Sequence, residues 1–201
     1  MRGCAVCNHI VQTARDFFVH WQYSLASEEK AQADFAGELG FCPVHMWQLH
    51  DVSSAWGESI GFPRLFEHIS ELLERAEPRP IDEIIRTKSA CRVCEMLRET
   101  EAGYVICLRD FLSDATGRKA YSCSNGVCLR HIGQLLSISP EDVVSLVRAT
   151  ASRAFRKLAA QMHSYAAKRE AVRRDLITRE EEGASLRAIA HLAGAKEYFV
   201  P

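Results

Sequence analysis

The sequence predicts an all-α protein, and three observations carry that reading. Apolar residues recur at helical spacing along most of the chain, period-two alternation between tight turns is almost absent, and residues that start or stop helices stand at the segment ends. Ile10, Ala14, Phe17, Phe18, Trp21 and Leu25 form one helical stripe, and Ser27-Glu28-Glu29 resembles the start of a second helix that Gly37 and Gly40 end. Pro43 suits a first helical turn, with Cys42 near the cap and His45 three residues on. Leu65, Phe66, Ile69, Leu72 and Leu73 form the next stripe, stopped by Pro78 and Pro80. In the second half Met96, Leu97, Ile106, Leu108, Phe111 and Leu112 read as helical, and Asp114-Ala115-Thr116-Gly117 reads as a turn. Ser139-Pro140-Glu141-Asp142 is a strong helix start, after which no proline or glycine occurs until Gly183. A last helix around Leu186, Ile189, Ala190 and Leu192 ends at Gly194.

Composition sets the class. With 201 residues, 47% of them apolar and 25% charged, the chain suits one average domain or two small ones, and disorder and collagen are excluded. No apolar run approaches the roughly 18 to 20 residues that cross a bilayer. The start, Met1-Arg2-Gly3-Cys4, lacks the apolar core of a secretory signal, so a cytoplasmic location and no membrane partner are expected. Thiols stay reduced in that compartment, and eight cysteines there point to metal or redox chemistry rather than to disulfides.

Those cysteines fall in a repeated pattern. Cys4-Ala5-Val6-Cys7 recurs as Cys91-Arg92-Val93-Cys94 at an offset of 87, and Gly40-Phe41-Cys42-Pro43-Val44-His45 recurs as Gly126-Val127-Cys128-Leu129-Arg130-His131 at an offset of 86. Thr13 and Thr100, Phe17 and Tyr104, and Leu25 and Leu112 match in register between them. Cys-x-x-Cys at one helix start and Cys-x-x-His at another supply three thiolates and an imidazole, a familiar tetrahedral zinc set, and a positive helix end favours the thiolate. The 34 and 33 intervening residues suffice for two antiparallel helices of about 12 to 15 residues. On that reasoning Cys4, Cys7, Cys42 and His45 are expected to form one centre, and Cys91, Cys94, Cys128 and His131 the other. The architecture is then two tandem, metal-closed helical hairpins packed with a long C-terminal helix. Residues 1–77 would be the first unit, 78–90 a linker, 91–138 the second unit, and 139–201 C-terminal helices packing on both.

Closed Cys3His sites favour Zn²⁺ at both positions, while a [4Fe-4S] cluster also accepts three Cys and one His. The bland reading is that these thiols are small buried apolar groups, and repetition weighs against it. Cys123, five residues before Cys128, is a possible substitute ligand, and Cys107 in the run Val105-Ile106-Cys107-Leu108 reads as a core thiol. His9 and His50 stand near the first set as possible supporting groups. Phe17, Phe18, Trp21, Tyr23, Phe35, Phe41, Trp47 and Trp56 read as core that shields the metal.

Other chemistries find no support. Asn8 and Glu95 stand where a c-type haem needs His, no βαβ frame accompanies the Cys-x-x-Cys pairs, and no P-loop, G-x-G-x-x-G, G-x-S-x-G or H-E-x-x-H occurs. No catalytic residue is placed. Net charge is −1, yet the chain up to Lys88 holds 13 acids against 8 bases and the remainder 13 against 17. Arg148, Arg153, Arg156, Lys157, Lys168, Arg169, Arg173 and Arg174 cluster on a helix read over 146–174, which offers phosphate contacts to nucleic acid or simply a solvated face.

The doubled Cys-x-x-Cys and Gly-x-Cys-x-x-His pattern, followed by a long helix and Ser185 to Gly194, resembles an uncharacterised prokaryotic family of helical Cys/His-rich proteins. The resemblance spans almost the whole chain, and it implies metal ligation by the eight repeated residues without implying a reaction. The expectation is a metal-binding adaptor or regulatory protein with an unidentified protein partner. An iron-sulfur redox or sensor protein and a nucleic-acid binder are the alternatives.

Overall fold

The computed structural model describes residues 3–75, 91–169 and 174–193, and all regular structure among them is helical. The helices are α1 (Ala5–Ser27), α2 (Glu29–Gly37), α3 (Pro43–Val52), α4 (Ala55–Gly61), α5 (Pro63–Arg75), α6 (Arg92–Phe111), α7 (Ala115–Ser122), α8 (Leu129–Ile138), α9 (Glu141–Arg169), α10 (Arg179–Glu182) and α11 (Ala184–Ala193), with a 3-10 turn at Arg174–Leu176. None of the described helices is long and apolar enough to cross a membrane. The expected linker, 78–90, lies outside the described residues.

The described chain divides into two compact units. The larger holds residues 3–11, 100–169 and 174–193, and the smaller holds 12–75 and 91–99. Helices α1 and α6 therefore each begin in one unit and end in the other.

In the smaller unit α2 packs on α5, and the core is built from Phe18, Leu25, Phe35, Phe41, Leu49 and Leu65. Phe41 meets the rings of Phe17, Phe18, Trp21 and Phe35. The aromatic cluster expected from sequence is thus real, but Tyr23, Trp47 and Trp56 stand outside it as exposed side chains. Leu39 and Gly40 follow α2 with φ of 55° and 71°, a left-handed pair that reverses the chain and delivers Cys42 to the start of α3. Gly126, with φ 73°, does the same before Cys128 in the larger unit. This is the physical reason for glycine two residues before the cysteine in both copies of the motif.

In the larger unit α9 is the central element, in contact with α7, α8, α10 and α11. Val143, Val147, Thr150, Ala151, Ala154 and Leu158 form its buried face, at the spacing of one helical side. Three expectations change here. Ser139 does not cap α9: the helix starts at Glu141, its first bond runs from Val144 N–H to the Pro140 carbonyl, and the Ser139 hydroxyl is buried without a hydrogen-bond partner among the described residues. The stretch without proline or glycine up to Gly183 is not one helix, since Ile177 and Thr178 are non-helical between the 3-10 turn and α10. Cys107 is exposed rather than core. It lies two residues from buried Val105, which turns it about 200° round α6.

Asp114 starts a helix rather than closing a turn. Its carboxylate accepts from the N–H groups of Thr116 at 2.8 Å and Gly117 at 3.2 Å, capping α7, and these bonds hold its pKa below the usual carboxylate range. A Cβ on Gly117 would lie 1.9 Å from the Phe111 carbonyl oxygen. Gly117→Ala should therefore cost about 1–3 kcal/mol, read as a lowered urea midpoint, because a backbone atom must move. An unchanged midpoint would show that the α6–α7 corner gives way freely.

Candidate metal centres

All eight repeated residues converge, but in an exchanged pairing. Cys4, Cys7, Cys128 and His131 form one group and Cys42, His45, Cys91 and Cys94 the other, with the ligand atoms of each group all within 4.8 Å of one another. Each Cys-x-x-Cys thus meets the Cys-x-x-His of the opposite repeat, not its own as the hairpin reading expects.

Helix length explains the exchange. At about 1.5 Å per residue, the 23 residues of α1 run roughly 34 Å while the 9 residues of α2 return only about 14 Å. The two helices are thus not the equal-length antiparallel pair that the hairpin reading assumes. The second repeat has the same mismatch, 20 residues in α6 against 8 in α7. The group containing Cys4 lies wholly within the larger unit, and the group containing Cys42 wholly within the smaller.

Each group is assembled from two helix N-termini. Cys4 and Cys91 immediately precede α1 and α6, and their carbonyls accept the first helical bonds, from Asn8 at 3.0 Å and Glu95 at 3.1 Å. Cys42 and Cys128 are the N-caps of α3 and α8, with extended backbones and no capping bond from the sulfur. The sulfurs are free to face the cluster, in the positive field of the helix ends.

The distances suit one tetrahedral ion per group. Metal–sulfur bonds of about 2.3 Å imply sulfur–sulfur edges near 3.8 Å in a regular tetrahedron. Cys7 and Cys128 Sγ stand 3.7 Å apart, as do Cys42 and Cys94 Sγ. Nδ1 of His131 lies 3.2, 3.5 and 3.0 Å from the sulfurs of Cys4, Cys7 and Cys128. Nδ1 of His45 lies 3.2, 3.4 and 3.4 Å from those of Cys42, Cys91 and Cys94.

Burial makes such crowded thiols demand compensation. Hydrogen bonding from Cys128 and Cys7 holds Cys4 far below the ordinary thiol range. Burial opposes ionisation of Cys91, yet His45 and backbone N–H groups bring it down to about 6. Cys94 is pushed up to about 12, by burial first and then by the charges of Cys91 and Cys42. Burial also disfavours charge on His131, but bonding to Cys128 and Cys4 lifts it to about 10. One thiolate suppresses ionisation of the next, as expected where several sulfurs face a point that a cation would neutralise.

No family model, curated protein or solved structure matches the chain. The site is therefore read from its own residues. Cys123 is exposed and belongs to neither group. His9 stacks on Tyr104 at 4.5 Å, and His50 bonds Glu58 at 2.8 Å, so neither supports a ligand.

The supporting residue that sequence reasoning missed is Glu101. It is 3% exposed and accepts from Nε2 of His131 at 3.0 Å and from Nε and Nη2 of Arg130 at 2.8 and 2.9 Å. A carboxylate on the far nitrogen fixes the ring with Nδ1 turned to the sulfurs. The signal was present: Glu101 interrupts a buried face of α6 marked by Leu97 and Val105.

Proposed function

We propose that the protein is a non-catalytic, two-zinc module, an adaptor or regulatory component in which each ion holds two helix starts together. The observation that carries this is the pair of Cys3His groups, with every ligand buried except Cys42, which is half-buried. Four protein ligands complete a tetrahedron and leave no position for substrate, the hallmark of a structural site.

Zinc is favoured over a [4Fe-4S] cluster by the close spacing. A cubane gives each of four irons its own ligand, which spreads the donors wider than the edge of a mononuclear tetrahedron. Protein purified without oxygen should be colourless and carry two zinc ions per chain by elemental analysis. A brown preparation with broad absorption near ~400 nm and stoichiometric iron would replace zinc by the cluster and make the protein a redox or sensor component.

Nucleic-acid binding through the basic helix draws less support. Lys168 is paired with Glu181 at 2.6 Å, and Arg153 donates to the Ser122 carbonyl at the end of α7, so part of the cationic set is engaged within the fold. Arg148, Arg156 and Lys157 are exposed on α9, an ordinary solvated face for a chain with net charge −1. The natural partner of such a module is another protein.

A further inference from the structure

The two centres present the same four ligands to an ion but differ in what stands behind the histidine. His131 leans on Glu101, which Arg130 grips with two bonds. His45 has no counterpart: its Nε2 is buried with no hydrogen-bond partner among the described residues. The repeat shows why. At the offsets that relate the motifs, 87 and 86, Glu101 corresponds to Ala14 and Arg130 to Val44. Neither side chain can accept a proton-mediated bond from an imidazole. The exposure differs as well, since Cys42 is half-buried while all four residues of the other group are buried.

From these differences we propose that the protein holds one permanent and one exchangeable metal ion: Cys4, Cys7, Cys128 and His131 keep theirs, and Cys42, His45, Cys91 and Cys94 release theirs first, making the smaller unit the metal-responsive part. The inference rests on the metal-binding reading above and adds the direction of regulation. Two physical effects act together. A carboxylate on the remote nitrogen raises the basicity of the ligating one and holds the ring in place, and its loss typically lowers metal affinity about 10–100-fold. A buried imidazole N–H left without an acceptor is itself penalised in the loaded state, where the proton must sit on Nε2 because Nδ1 holds the ion. A half-buried sulfur adds a route for a competing chelator. Glu101 is thus a positioning residue, acting on the ion through His131.

The test uses the full chain loaded with two zinc ions. A competing chelator is raised in steps, free thiols are alkylated with iodoacetamide at each step, and the labelled cysteines are mapped by mass spectrometry. Cys107 and Cys123, exposed and outside both groups, should label throughout and calibrate the reaction. Cys42, Cys91 and Cys94 should become reactive at a chelator concentration about 10–100-fold below that exposing Cys4, Cys7 and Cys128. Glu101→Gln should bring the release of the second set down toward the first while leaving the first where it was, a site-selective shift that general loss of folding would not produce. If the wild-type sets open together or in reverse order, or if Glu101→Gln moves both equally, the proposal is overturned; the wild-type result decides alone should the variant not fold. Failure of the underlying reading looks different. All eight cysteines would then label before any chelator is added, and no zinc would be found.

Discussion

Replacing Cys4, Cys7 and Cys128 together with serine will leave one bound metal ion per chain, whereas replacing Cys4, Cys7 and Cys42 will leave none. The first variant strips three ligands from one group and touches nothing in the other. The second removes two ligands from the first group and one from its neighbour, so neither keeps a complete thiolate set. A hairpin pairing within each repeat reverses the two outcomes, because Cys4, Cys7 and Cys42 would then belong to one site. Metal-to-protein stoichiometry after exhaustive washing distinguishes them without a structure. Retention of one ion by the second variant and none by the first would sink the exchanged pairing.

Stripping both ions should collapse the helical circular dichroism. Each ion would join segments far apart in the chain, with Cys7 and His131 separated by 124 positions and Cys91 and His45 by 46. Without a cation the buried sulfurs resist ionising together: burial first, and then the charges of Cys91 and Cys42, pushes Cys94 up to about 12. Structural zinc contributes apparent binding free energies of about 10–16 kcal/mol in small domains, while whole domains are stable by only about 5–15 kcal/mol. The short helices that carry ligands, α3 and α8 with 10 residues each, are below the length at which isolated helices persist in water. Chelation monitored at 222 nm should therefore show a cooperative loss of signal, recovered on adding zinc. Removal of both ions with the spectrum unchanged would mean that the hydrophobic cores hold the fold unaided and the centres serve something other than structure.

What is local was legible in the sequence. The α1 stripe from Ile10 to Leu25, the stop at Gly37 and the proline at the first turn of α3 are consequences of backbone geometry within a few residues, and the helices stand where those signals put them. The same elements held a clue to the pairing: a stripe that reaches Leu25 makes α1 long, and a stop at Gly37 makes its successor short. Dividing 34 residues into two equal helices discards that inequality. The solvent-facing position of Cys107 needed only the face of α6 fixed by Leu97 and Val105.

Other features are not local. The partnership of Glu101 with Arg130 and His131 spans about thirty positions, and the buried, uncapping Ser139 depends on how its neighbours pack. Sequence alone determined the helical class and picked out the eight Cys and His residues that gather into two groups, because helix starts and motif spacing are set by neighbours along the chain. Only the tertiary structure decided which of those residues gather together and which histidine is supported, because each group joins motifs far apart in the chain, Cys7 with His131 and Cys91 with His45, and no residue type records which distant partner it meets.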